Sequence, residues 1–323
     1  MNVMRPIEKI PLNKVDDSDD TFSINFMPDL KSLRSSMKEI GLIQPVFLKK
    51  KLGGYQIVCG FRRIFIMKEL GKSEIESKVF EEKEMDEFQF FSLSLHENLT
   101  TRGFNAVEKA IALDKLIHRF QIDPAIAIKT FLPLFSLEPN EKILNTFLSL
   151  AGMEDGMKEY VLKEEVSRSN IRKLANMTPD DRVAILSLIS FLKLGENRLR
   201  EILTFLEEIS RKNQWTAKEI VQRGDIQVIL SQKEFTPSQK TERVKKLLMD
   251  LRYPRMRQLE EEFVRKRRDL HLSFNVSLHH QPFFEGKGLR VEFQFETMEE
   301  FRTILSSLSQ LADKEEFMEL IQS

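Results

Sequence analysis

The segment "VCGFRRIFIMKELG" (residues 58–71) joins the end of an apolar strand to an apolar helix through a single glycine followed by two arginines. A glycine at such a junction lets backbone N–H groups approach an anion, and arginine's planar fork adds charge-assisted hydrogen bonds. Gly60, Arg62 and Arg63 are therefore candidate phosphate ligands, and the competing reading is a basic surface corner. Upstream, "QPVFLKK" and "GYQIVCG" read as two strands joined by a Gly53-Gly54 turn. Before them, "PDLKSLRSSMKEIG" opens with Pro28, places Leu30, Leu33, Met37 and Ile40 at helical spacing, and stops at Gly41. Downstream, "IESKVFEE" reads as a third strand and "MDEFQFFSLSL" as a helix running into "HENLTTRGFNAVEKA", where Asn105 and Glu108 have the spacing of a capping box.

The chain has 323 residues, enough for two or three cores. With 50 basic and 50 acidic residues its net charge is zero, so the distribution of charge matters more than its sum. The single cysteine, Cys59, excludes a disulfide framework and cysteine-rich metal sites, and is expected to be a small buried strand residue in a reducing cytoplasm. No apolar run reaches the roughly 18 residues of a membrane span, and the first residues lack a signal-peptide core. The expectation is a cytoplasmic protein.

Three segments differ in character. Residues 1–105 mix strands and helices. Residues 106–239 are almost wholly helical, with cap-then-proline starts at Thr178-Pro179 and Thr236-Pro237. Residues 240–323 begin with eleven Lys/Arg against six Asp/Glu over 240–270. They continue with alternation at Leu272, Phe274, Val276 and Leu278 and at Leu289, Val291, Phe293 and Phe295, around the turn-rich "QPFFEGKG". A helix bearing Phe301, Ile304, Leu305 and Leu308 follows. That last unit has a small core, which dimerisation would complete.

Taken together, "SMKEIGLIQPV", "YQIVCGFRR" and "ENLTTRGFNAVEKA" resemble the G-L-x-Q-P, G-E-R-R and E-N-x-x-R motifs of ParB-type partition proteins. "FLSLAGMEDGMKEYVLKEEVSRSNIRKLANM" is similar to the helical segment after that family's helix-turn-helix. The resemblance implies an α+β N-terminal domain of the ParB/sulfiredoxin shape, an all-α middle domain with a degenerate helix-turn-helix, and a small βα C-terminal dimerisation domain. It implies a DNA-binding, nucleoid-associated homodimer for chromosome or plasmid partition, a CTP-gated clamp with magnesium, and a partition ATPase as partner. Gly60, Arg62, Arg63 and Arg102 would then hold the nucleotide phosphates together with Glu97 and Asn98, which would also approach the metal.

The departures from the family are specific. Phe61 replaces the acidic residue of G-E-R-R, Phe65 replaces an arginine, and Thr101 stands where the second-motif arginine belongs, with Arg102 one place late. Phe61 speaks against CTP hydrolysis. "VDDSDDTFSINF" is acidic where the family carries an arginine. In sulfiredoxin the residue after the turn glycine is a reactive cysteine; here it is Phe61. A divergent DNA-binding regulator without nucleotide binding and, less well supported, a nuclease-like phosphate enzyme are the alternatives.

For DNA, the segment "QIDPAIAIKTFLPLFSLEPNEKILNTFLSL" should hold the helix-turn-helix, with Asn140, Lys142 and Asn145 toward the bases but Glu138 and Glu141 opposing the phosphates. Arg252, Arg255, Arg257, Arg265, Lys266, Arg267 and Arg268 form a second, sequence-independent candidate surface, partly cancelled by Glu260–Glu262. Adjacent His279 and His280 would point to opposite faces of a strand and share no metal. Trp215 reads as a packing residue.

Overall fold

The computed structural model describes residues 5–281, 288–312, 314, 317 and 318. Six of the residues of "QPFFEGKG", 282–287, lie outside the described residues. The chain divides into two compact units, Met1–Ser187 and Leu188–Ser323, so the boundary falls inside the long helical segment.

The first unit is built on the hairpin legible in the sequence, β3 (Val46–Lys51) and β4 (Gly54–Cys59), paired antiparallel. The turn is Leu52-Gly53 rather than Gly53-Gly54. Gly53 has φ +85°, whereas Gly54 is already in the strand, where a Cβ would stand 2.7 Å from the Lys14 carbonyl oxygen. That close approach comes from β2 (Val15–Asp16), which lies parallel to β4. β5 (Glu74–Phe80) pairs parallel to β3, and β1 (Glu8–Pro11) pairs antiparallel to β5 with Ile10 opposite Ile75. The sheet order is therefore β1-β5-β3-β4-β2.

Both faces of the sheet are covered, so its central strands carry apolar residues without strict alternation. One face gathers Ile10, Val46, Leu48, Ile57 and Ile75 with Ile64 of helix α2 (Phe61–Glu69) into a buried cluster. Helix α1 (Lys31–Ile40) begins three residues after Pro28 and ends at Gly41, whose φ of +78° suits a residue without Cβ. Helix α3 (Glu87–Thr101) starts from an Asp86–Gln89 capping box and brings an aromatic layer. Phe90 packs 6.0 Å from Phe22 and 5.8 Å from Phe80, ring centre to ring centre.

The helical path is interrupted at 102–105, and helix α4 (Ala106–Asp114) follows from the expected Asn105–Glu108 capping box. α4 runs into a π-helical turn, Lys115–Arg119, from which the Lys115 ammonium donates to the carbonyls of Asp20 (2.5 Å) and Ser23 (2.8 Å). The loop is tied further by Asp19. Burial opposes the charge of its carboxylate, but bonds from Lys51, Thr21 and Gln56 outweigh burial and hold the group well below its usual range. Helical turns at Pro124–Ile126, Ala127–Phe131 and Leu132–Leu134 lead to a helix at Glu141–Ala151, which packs on α4.

In the second unit, helix Glu196–Asn213 packs along helix Pro237–Arg252. Ion pairs Arg198–Glu242, Lys245–Glu201 and Arg252–Glu208, at 2.9, 3.0 and 2.8 Å, line the two helices. The basic stretch is not one helix: Pro254 starts a new one at Pro254–Asp269, where its missing N–H costs nothing. Strands β6 (Val276–His280) and β7 (Leu289–Phe293) form an antiparallel pair with Leu278 opposite Val291. The first strand starts only at Val276, although Leu272 before it still packs partly buried against the core. The chain turns at Ser273–Val276, so Phe274 is fully exposed, and the small core is Phe263, Leu270, Leu278 and Leu311. Helix Met298–Ala312 buries Ile304 but leaves Leu305 exposed. Among the described residues no helix is long and apolar enough to cross a membrane.

Candidate functional site: an arginine cradle at the start of helix α2

Gly60 is the residue before α2 and lies in the left-handed region at φ +100°. A Cβ there would meet Val46 Cγ1 at 2.6 Å, so both backbone and packing require glycine. The turn sends Arg62 and Arg63 from the first turn of α2 toward α3 and α4. The opening N–H groups of any helix lack intrahelical partners, and its dipole favours an anion beside them.

Arg63 donates to Glu97 Oε1 at 2.6 Å and to the Gln44 carbonyl at 3.1 Å. Arg62 donates to Glu108 Oε1 at 2.6 Å and to Asn25 Oδ1 at 2.8 Å. Arg102 donates to Glu108 Oε2 at 2.7 Å and to Asn98 Oδ1 at 2.9 Å. Glu108 is thus shared by two guanidinium groups while only 1% exposed. Burial and the nearby Arg102 charge lower the Arg62 pKa from its ordinary value, against the opposing pull of Glu108. Cys59 Sγ lies 2.7 Å from Glu97 Oε2, and burial, followed by the Glu97 charge, pushes the thiol well up.

A cavity of about 310 Å³ opens among these groups, with Gly60, Arg62, Arg63, Glu97, Asn98 and Arg102 in its wall. All six nucleotide-site residues expected from the sequence therefore line one space. Phe22, Ile24, Leu33 and Phe61 supply an apolar part of the wall. Two groups that hold the arginines, Asn25 in the cavity wall and Glu108 behind it, went unread in the sequence. Asn25 lies in the acidic N-terminal stretch and carries no motif. Glu108 was legible only as a helix cap, a role it does fill by accepting from the Asn105 backbone N–H at 3.2 Å. The oxygens of Glu97 and Asn98 are hard donors of the kind magnesium takes, yet Glu97 Oε1 and Asn98 Oδ1 already accept from arginines. Among the described residues, no group of three or more His, Cys, Asp and Glu is placed to hold a metal.

The other expected sites are dispersed. Asn140 caps the helix Glu141–Ala151 through the Lys142 N–H at 2.8 Å; Lys142 and Asn145 are exposed on that helix. In the second unit, Arg252 is held by Glu208 and Arg257 by Glu261, and Arg267 donates to the Leu278 carbonyl at 3.4 Å. Arg255, Arg265 and Arg268 are exposed, and Lys266 is half-buried. His279 faces Glu292 while His280 packs on Phe263.

Residues 2–99 match the family model of the ParB N-terminal domain. Over these residues the chain carries a ParB N-terminal domain. The Nucleoid occlusion protein of Halalkalibacterium halodurans is 25% identical over 151 residues, 47% of this chain and 50% of the relative. The Chromosome-partitioning protein ParB of Myxococcus xanthus is 33% identical over 93 residues, 29% of this chain and 30% of the relative. The chain spans about half the length of the curated relatives it matches. Among solved structures, the C-terminally truncated ParB of Caulobacter crescentus complexed with CTP-gamma-S matches at 21% identity and a TM-score of 0.27. That match covers 57% of this chain and 98% of the other. The same protein complexed to the centromeric parS site matches at 18% identity, 56% and 90% coverage, and a TM-score of 0.34. Within the matched residues Gly60, Arg62, Arg63, Glu97 and Asn98 meet at the cavity, and Arg102 reaches it from just beyond them.

Proposed function

We propose that this chain is a ParB-like, DNA-binding partition dimer whose N-terminal cavity binds a nucleoside triphosphate, CTP. The observation that carries the nucleotide reading is the convergence of Gly60, Arg62, Arg63 and Arg102 on one cavity at the start of α2. Three guanidinium groups, a helix N-terminus and an apolar wall suit a phosphate chain attached to a flat base. Glu97 and Asn98 would hold magnesium, which when bound supplies charge neutralisation for the phosphates. The proposal is binding; with Phe61 in place of an acidic residue, hydrolysis is no part of it.

For DNA, the exposed Asn140, Lys142 and Asn145 near the start of helix Glu141–Ala151 would face the duplex, and Arg255, Arg265 and Arg268 would track phosphates. The exposed Phe274, Val291, Phe295 and Leu305 of the second unit fit a dimer surface. A partition ATPase as partner and a place on the nucleoid in the cytoplasm follow from the family reading.

The deciding experiment is equilibrium binding of CTP, ATP, GTP and UTP to the full chain, with magnesium, with and without DNA. Selective CTP binding that is lost in a folded Arg62→Ala variant is the expected result. No binding of any nucleotide by the folded protein would overturn the nucleotide reading. The second reading is a DNA-binding regulator without nucleotide. It is favoured by one observation, that Arg62, Arg63 and Arg102 are each already engaged by a carboxylate. Its signature is DNA binding that ignores added nucleotide.

A further inference from the structure

Glu108 sits at the back of the cradle, 1% exposed, with one oxygen on Arg62 and the other on Arg102. The ion-paired cluster of three arginines and two glutamates carries a single net positive charge, which the exposed Asp29 in the cavity wall offsets. A carboxylate so placed does what a bound phosphate oxygen would do: it accepts charge-assisted bonds from two guanidinium groups. We propose that Glu108 is an internal counter-ion that sets the affinity of the cradle for polyphosphate anions. The inference rests on the phosphate-binding reading of the cavity and deepens it by naming a residue that governs the strength of binding.

The physical basis is competition. An anion entering beside Arg62 and Arg102 meets a field that Glu108 has largely cancelled, or else takes bonds from it. If Glu108 loses those bonds, its carboxylate is left buried without a cation, a costly state. Glu108 is also the third residue of α4 and accepts from the Asn105 N–H, so its helix-capping bond holds it in place against displacement. An open acidic rim would be screened by water and salt; a buried acid is screened much less.

Glu108→Gln is the discriminating variant. Glutamine serves the capping box as well as glutamate does, so the α4 start is retained while the charge is removed. The full chain and the variant are titrated with inorganic triphosphate by calorimetry, and their thermal unfolding is followed at each concentration. Removal of one charge at contact distance is expected to tighten triphosphate binding about tenfold or more. The variant, less stable than the parent without anion, should gain more in melting temperature from triphosphate than the parent does. Should the variant fail to fold in plain buffer, its recovery by triphosphate becomes the readout, and failure to recover overturns the proposal. Equal or weaker triphosphate binding by a folded variant overturns it as well. A Glu108→Gln/Arg62→Ala pair should lose the gain; a gain that persists places the effect elsewhere and overturns the assignment to this pair. CTP titrated in parallel reads the nucleotide assignment separately. CTP bound no better than triphosphate sinks that assignment, while the ratio between variant and parent still decides the role of Glu108.

Discussion

The arginines of the N-terminal cradle and those of helix Pro254–Asp269 carry the same charge in opposite settings. Arg62, Arg63 and Arg102 have side chains between 13% and 20% exposed, each within 2.7 Å of a carboxylate oxygen. Arg255, Arg265 and Arg268 stand exposed along a helix, and the neighbouring Arg257–Glu261 pair is a solvent-facing i,i+4 contact. Buried cations beside a buried acid are structural first, because removing either partner strands the other in a medium that solvates it badly. Exposed cations cost the fold little and remain available to a polyanion. Local basicity in a sequence therefore says little until burial is known.

The sharpest way to break this contrast is to delete one cation from each region. Arg62→Ala leaves Glu108 with Arg102 alone and is expected to cost about 3 kcal/mol of stability, read as a fall in the denaturant midpoint. A loss near zero would put the cradle arginines in the same class as the exposed ones. Gly60→Ala forces a side chain into the left-handed region against Val46 and should cost about 2 kcal/mol by the same measurement. An alanine accepted without loss would mean that the turn relaxes, and that the cradle is not fixed by its backbone.

Acid tests the anionic partner. The folded Asp19 carboxyl is held below its unfolded value of 3.8 by Lys51, Thr21 and Gln56. Its contribution is therefore complete above that value and lost as pH falls toward the folded one. The stability difference between the parent and Asp19→Asn should be constant from about pH 6 to 5 and shrink below about pH 4. A difference that grows in acid would reverse the sign of the shift. The smallest effect belongs to Arg265→Ala, which should leave the denaturation midpoint unchanged. It should lower the slope of log affinity for DNA against log salt by about 0.9. An unchanged slope would remove Arg265 from any phosphate contact.

Much of the first unit could be read in advance because its signals are local. The β3–β4 hairpin, the Gly41 and Gly60 positions and the Asn105–Glu108 cap each depend on residues within a few positions of one another. Strands β1 and β2 were missed because four and two residues give no period to detect, and their pairing with β5 and β4 is set by contacts far along the chain. The convergence of Arg62 with Glu108, 46 residues away, is a tertiary fact with no periodic trace. Asn25 went unseen for the same reason. Phe274 misled in the other direction: alternation continued in the sequence past the point where a turn ended the strand.

Cys59 turns the architecture into a practical property. Its thiol is buried, faces Glu97 and is held protonated, while chemical labelling requires an accessible thiolate. The native chain is therefore expected to resist maleimides, which mass spectrometry of the treated protein checks. A cysteine introduced on the surface can be labelled or crosslinked in the otherwise unaltered protein. Any reaction of Cys59 itself would then clock how often α3 lifts away from the end of β4.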